Sequence, residues 1–148
     1  MRRLNVIILM RTLVVTVLLF LITLHTVHGG ELSYECKVAH LYAVSVNGSL
    51  EYGPAPIVEI MKANPLFVSR KNGSLRGGAL SLDTSLAKTT RVLKFGSDRN
   101  AFEAVADFGS FKNGTHPYQY IRVEEFEPGS VKPFVIMGEA GIVTGTCK

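Results

Sequence analysis

The sequence predicts an all-β domain: a small antiparallel meander, closed as a barrel or folded as a sandwich of seven or eight strands, with at most one or two short helical turns. Three observations carry this. Several segments alternate apolar and polar residues with period two, as a strand with one buried face does. Turn dipeptides punctuate them at close spacing, at Asn47-Gly48, Asn72-Gly73, Asn113-Gly114 and Pro128-Gly129. Two cysteines, Cys36 and Cys147, lie near the two ends of the region that follows an export-type leader. In an oxidising compartment such a pair is a disulfide, and here it ties the first strand to the last.

The leader occupies residues 1–29. Arg2 and Arg3 open it, Arg11 follows the apolar run Val6–Met10, and Leu13–Leu24 contains only Leu, Val, Phe, Ile and Thr. A basic start, an apolar stretch and a small residue at the cleavage point define a secretory signal peptide. Cleavage is expected after Gly29 or Gly30. A retained anchor is the alternative, but the uninterrupted apolar run falls short of the roughly 20 residues a spanning helix needs. Residues 30–148 then form a single β domain, periplasmic or secreted, that meets a membrane only through the leader before cleavage.

From Tyr34 to Val46 the even positions read Tyr34, Cys36, Val38, His40, Tyr42, Val44 and Val46, with Glu35, Lys37 and Ser45 between them. This is a strand with an apolar face that includes His40. Asn47-Gly48 turns it into Leu50–Tyr52. Pro56–Ala63 is ambiguous: Ile57, Ile60 and Met61 share a helical face and Pro56 suits a first turn, so one or two helical turns or an irregular edge strand fit. Asn64-Pro65 ends it. Leu66–Arg70 and Leu75–Leu80 flank the next turn. Ser81–Thr90 lacks periodicity, and Asp83 suits the cap of a single turn there. Arg91–Phe95 follows, then Ala101–Phe108 with Phe102, Ala104, Ala106 and Phe108 on one face. Tyr118–Phe126, Val131–Met137 and Gly141–Cys147 complete the order, and Pro133 places its strand at an edge or marks a strand start.

Charge excludes one class of partner. The chain carries 16 basic and 12 acidic residues, a net charge of +4. Arg2, Arg3 and Arg11 belong to the leader, so the domain keeps 13 basic against 12 acidic residues and is nearly neutral. No clustered basic surface remains for nucleic acid.

No catalytic or cofactor signature stands out. His40 on an apolar face reads first as a core histidine satisfied by one hydrogen bond, and second as an acid–base group or ligand. His116 precedes Pro117 in a polar turn and reads as solvated. Two histidines without companions at ligand spacing, and cysteines committed to a disulfide, point to no metal, and no cofactor is expected. Glu124 and Glu125 are adjacent in a strand and face opposite sides, so they do not pair for acid–base work, and with Glu127 they read as a solvated strand end. Glu124 shares its side with Tyr118, Tyr120 and Arg122. Together with His40, the residues Tyr120, Arg122 and Glu124 are the candidate ligand-lining group, and an enzyme would have to use them at a barrel mouth. Gly138–Gly145 is glycine-rich but has neither phosphate-loop nor dinucleotide spacing, and reads as a bulge or bend. Asn47, Asn72 and Asn113 stand in Asn-Gly-Ser or Asn-Gly-Thr, which the turns account for without sugar.

The stretches Tyr34-Glu-Cys-Lys-Val, Phe102-Glu-Ala-Val-Ala-Asp-Phe, Lys132-Pro-Phe and Gly141-Ile-Val-Thr-Gly-Thr-Cys-Lys resemble those of small exported bacterial proteins of unassigned function, which implies compartment and size. Tyr34-Glu35-Cys36 with the closing Cys147 is also similar to the outline of periplasmic inhibitors of C-type lysozyme. That resemblance implies inhibition of a cell-wall hydrolase, although the inhibitory Ser-Gly-x-x-Tyr loop of those proteins is absent here. The expected role is a non-enzymatic β domain that binds a protein partner or a small ligand, an apolar molecule held within the barrel among them.

Overall fold

Alternation sets the first strand. Tyr34, Cys36 and Val38 are buried along Ser33–Val44 (β1) while Ser33, Glu35 and Lys37 are exposed. The computed structural model describes residues 33–79, 82–112, 114–139 and 141–148. The expected leader and its cleavage point lie outside them, as does Asn113. Eight further strands follow: β2 (Leu50–Tyr52), β3 (Leu66–Ser69), β4 (Leu75–Gly77), β5 (Thr89–Lys94), β6 (Phe102–Asp107), β7 (Tyr118–Val123), β8 (Lys132–Gly138) and β9 (Gly141–Cys147). One helix, α1 (Ala55–Ala63), separates β2 from β3. Nine strands against the expected seven or eight reflect how short β2 and β4 are, at three residues each.

All pairings are antiparallel, in one sheet of order β4-β3-β1-β9-β8-β7-β6-β5 that curls into a half-barrel. Strands β5 to β9 form a plain meander. The chain then closes on itself, because β9 pairs with β1 from Cys36↔Cys147 to Tyr42↔Ile142. The other edge of β1 is shared, by β3 at its start and β2 at its end. The sheet edges are therefore β4 and β5 rather than the terminal strands. At that seam the β3–β4 turn presses close, and a Cβ on Gly73 would meet Ala104.

Cys36 and Cys147 are bonded. Glu35 and Lys148 exchange both main-chain hydrogen bonds, so the cysteine pair next to them is a non-hydrogen-bonded one, where facing residues approach most closely. Their Cα atoms are 3.9 Å apart.

One core collects the inner face of the sheet. Phe102, Leu66, Val68, Ile121, Val123, Ile136 and Val143 are almost fully buried, joined by Met61 from α1 and Leu82 from the β4–β5 connection. Each such side chain contributes about 1.5–3 kcal/mol by leaving water. In α1, Pro56 sits in the first turn, where its missing N–H has no helical partner to lose. Asn64 leaves the helix extended, as a residue before proline must, and its side chain donates to Ile60 O at 2.8 Å. The buried side of α1 is Val58 and Met61, whereas Ile57 and Ile60 are exposed. Pro133 stands at the start of β8, and β8 is an interior strand.

The bulge on β1 changes which face its second half presents. Register shifts between Val38↔Gly145 and His40↔Thr144, leaving Ala39 as the extra residue. Beyond it Leu41 is buried and His40 exposed. The expectation that His40 belongs to the apolar face is thereby corrected.

Among the described residues, no helix is long and apolar enough to cross a membrane. The two cysteines are 111 residues apart, a loop whose closure is worth about 4–5 kcal/mol in the chain-entropy account. Reduction and alkylation are expected to lower the melting temperature by several degrees in calorimetry. An unchanged transition would contradict the staple.

Candidate functional site

The two ends of the half-barrel differ. At one end lie the start of β1, the close of β9 and the chain just after β7. There Val123 ends the alternation Gln119, Ile121, Val123 on the inner face, and Glu125 folds over the sheet end. Its side chain is 8 % exposed. Tyr34 Oη donates to Glu125 Oε1, and Arg70 Nη2 donates to the same oxygen at 2.7 Å. The Arg70 guanidinium also lies over the Tyr34 ring at 5.2 Å, and that ring meets Phe102 edge-on at 5.4 Å. Burial, and then the bond to Glu125, raise the Tyr34 phenol well above its ordinary value, so it remains a neutral donor. Glu125 Oε2 is buried without a partner among the described residues. Gly96 makes room for it, since a Cβ there would overlap the carboxylate. With Cys36–Cys147 beside it, this end is shut.

The other end opens into a cleft of about 430 Å³. Its walls are the β6–β7 loop, the start of β7, the β8–β9 turn and the Leu82–Leu86 stretch. Leu82, Phe108, Pro117 and Ile136 give it an apolar interior, with Leu86, Phe111 and Tyr118 around the rim. Local bonds explain each wall. Thr84, 4 % exposed, ties its stretch to β4: Leu75 N–H donates to Thr84 Oγ1 at 2.8 Å and Thr84 N–H donates to Leu75 O at 3.0 Å. Asp83 accepts Ser85 N–H at 2.7 Å, the turn its position suggested. Gln119, 6 % exposed, donates from Nε2 to Leu82 O at 3.4 Å, and its Oε1 has no partner among the described residues.

A Ser–His–Asp chain holds the β6–β7 loop. His116 Nδ1 is 3.1 Å from Ser110 Oγ, its Nε2 is 2.9 Å from Asp107 Oδ1, and its ring stacks on Tyr118 at 4.8 Å. Asp107 also accepts Gly109 N–H at 2.6 Å. That bond, and then His116, hold its carboxyl below the usual carboxylate range. The arrangement has the residue types of a nucleophilic triad but not its setting. His116 and Asp107 are 41 % and 31 % exposed in their side chains, and the N–H groups of Phe111 and Gly114 bond within the loop, to Thr115 O and Phe111 O. Catalytic stabilisation needs a water-excluded site with free donors. The chain instead positions Phe108, Phe111 and Pro117 against the cleft.

Of the sequence-predicted residues, three come together and one does not. Arg122 Nε donates to Glu124 Oε1 at 2.7 Å and Nη1 to Glu103 Oε1 at 2.9 Å. Burial, then Glu103, raise the neighbouring Tyr120 phenol, and Glu124 above all raises Arg122. This group faces away from the core, because Gln119, Ile121 and Val123 take the inner side of β7. His40 shares that outer face but lies three strands off, along the row His40↔Thr144, Thr144↔Val135, Val135↔Arg122. At about 4.8 Å per strand the separation is about 14 Å. His40 packs instead with Tyr42 and Tyr52, at 6.0 and 6.3 Å between ring centres. None of the four lines the cleft.

Asn47 and Asn72 do serve turns: their Oδ1 atoms accept Ser49 N–H at 3.0 Å and Ser74 N–H at 3.1 Å. Among the described residues no cluster of His, Cys, Asp or Glu has the makings of a metal site. Sequence reasoning missed Tyr34 and Arg70, and its reading of Glu125 as part of a solvated strand end is corrected, since the side chain is 8 % exposed and paired with Arg70; one signal of this was present. If Ile121 and Val123 point inward, the next residue of that face is Glu125.

The packing of Glu125 on Gly96 has a measurable consequence. Gly96→Ala is expected to destabilise by about 1–3 kcal/mol through overpacking. In a Glu125→Ala background the same change is expected to be nearly neutral. A denaturant double-mutant cycle reads the coupling, and equal penalties in both backgrounds would contradict the contact.

Comparison of the chain with protein-family models, with curated proteins and with solved structures yields no match, so the reading of function rests on the geometry of the cleft.

Proposed function

We propose that the protein is an exported, non-enzymatic β domain, periplasmic or secreted, whose open end binds a small, largely apolar molecule. One observation carries the reading: an apolar cleft of about 430 Å³ at the unsealed end of the half-barrel. That volume lies in the range of small-molecule sites, and barrel mouths are a common place for them. The division of polar groups supports binding over catalysis. Glu125 is sealed at the far end, Glu124 and Glu103 are paired with Arg122 on the outside, and His116 is tied into a surface loop. The disulfide supports the compartment, since such bonds persist where the surroundings are oxidising.

Leu86 and Phe111 are exposed rim residues, 87 % and 49 %, so replacing them spares the core. Leu86→Asp with Phe111→Ser is expected to weaken binding of an uncharged apolar fluorescent probe such as N-phenyl-1-naphthylamine by tenfold or more, while the melting temperature stays within about 2 °C. Undiminished probe binding would move the site elsewhere.

Inhibition of a cell-wall hydrolase is a second proposal, and one observation favours a protein partner. The β1–β2 hairpin presents Val44, Val46, Leu50 and Tyr52 to solvent. Exposed apolar groups gathered in this way mark protein contacts. Lysozyme activity is expected to fall in the presence of excess protein, and undiminished activity across several lysozyme types would remove this reading.

A further inference from the structure

We infer that the cleft selects a protonated amine carried on an apolar body. This rests on the ligand-binding reading of the cleft and adds the chemical class of the ligand. Two charged side chains line the cleft among the described residues, Asp83 and Glu139, and both are carboxylates. No lysine, arginine or histidine is among the lining residues. Of the basic groups in the neighbourhood, Lys88 and His116 act on Asp107, outside the lining. Arg76 acts on Asp83 from β4, as the weakest of the influences on it, and offsets part of its charge, while the lining sets no basic residue beside Glu139. Asp83 is held ionised by its bonds from Ser85.

The neutral polar lining points the same way. Gln119 is directed by its Nε2–H bond to Leu82 O, which leaves the acceptor Oε1 buried in the cleft wall without a partner among the described residues. Turning the amide toward the cleft exchanges the long 3.4 Å bond to Leu82 O for a bond from a ligand N–H to Oε1. A carboxylate or ether in the same place leaves Oε1 facing another acceptor. The rings of Phe108, Phe111 and Tyr118 line the cleft, and aromatic rings accommodate both a hydrocarbon body and a cation. Shape, charge and hydrogen-bond polarity thus agree on one class of ligand, an aryl or alkyl ammonium compound.

The test uses three probes with one body: 2-naphthylethylamine, 2-naphthylethanol and 2-naphthylacetate, titrated into the protein by calorimetry at low and high salt. The amine is expected to bind about tenfold more tightly than the alcohol at low salt, and the carboxylate more weakly than either. High salt, or Asp83→Asn combined with Glu139→Gln, is expected to bring the amine to the level of the alcohol. Each single variant serves if the double variant fails to fold. Equal binding of amine and alcohol, tightest binding of the carboxylate, or an amine preference that survives the loss of both carboxylates would overturn the inference while leaving the cleft a binding site. Failure of all three probes would instead defeat the ligand-binding reading itself.

Discussion

The pairing of β1 with β9 is the constraint on which the rest of this structure depends. Strands β5 to β9 are joined in sequence by short connections, and their pairing is local. By contrast, β1 reaches β9 across almost the whole domain, and the two cysteines are 111 residues apart in sequence. Bringing such distant segments together carries the largest loop-closure entropy in the fold. The disulfide removes much of that freedom from the unfolded chain. Once β1 is held against β9, its other edge is available to β3 and β2, and α1 is delivered where Met61 enters the core.

The same strand distributes polarity between the two ends. Tyr34, at its start, meets Glu125 and Arg70 under cover, so three polar groups satisfy one another and shut that end. A buried carboxylate is tolerable only with such partners. One oxygen still lacks a partner among the described residues, and Gly96 is the residue that lets it lie there. Among the described residues, the opposite end has no comparable plug. Its walls are fastened by hydrogen bonds through Thr84 to Leu75, through His116 to Asp107 and through Gln119 to Leu82. An open apolar cleft follows from that asymmetry, and it is the feature best suited to bind something.

Much of the architecture was legible in the sequence. Period-two alternation located Phe102, Ala104 and Ala106 on one buried face, and the turn dipeptides located the hairpins at Asn47 and Asn72. The cysteine positions anticipated that first and last strands are neighbours. The candidate site was not legible to the same degree, and His40 shows why. Strict alternation puts His40 on the face of Cys36 and Val38, but one bulged residue, Ala39, reverses the faces beyond it. A bulge arises from pairing with Gly145 and Thr144, more than a hundred residues later, so no local pattern announces it. In α1 the same limit applies: the segment can turn either of two apolar stripes inward, and packing chose Val58 and Met61 over Ile57 and Ile60.

By itself the sequence determined the all-β class, the turn chemistry, the pairing of its two cysteines and the near-neutral charge of residues 30–148, because each of these depends on local pattern or on simple composition. Tertiary structure alone decided which face of β7 is buried, how Glu125 is enclosed, and where a cleft remains. Those depend on which strands meet across long separations and on how completely side chains from different strands fill the space between them, and neither quantity is encoded in any short stretch of chain.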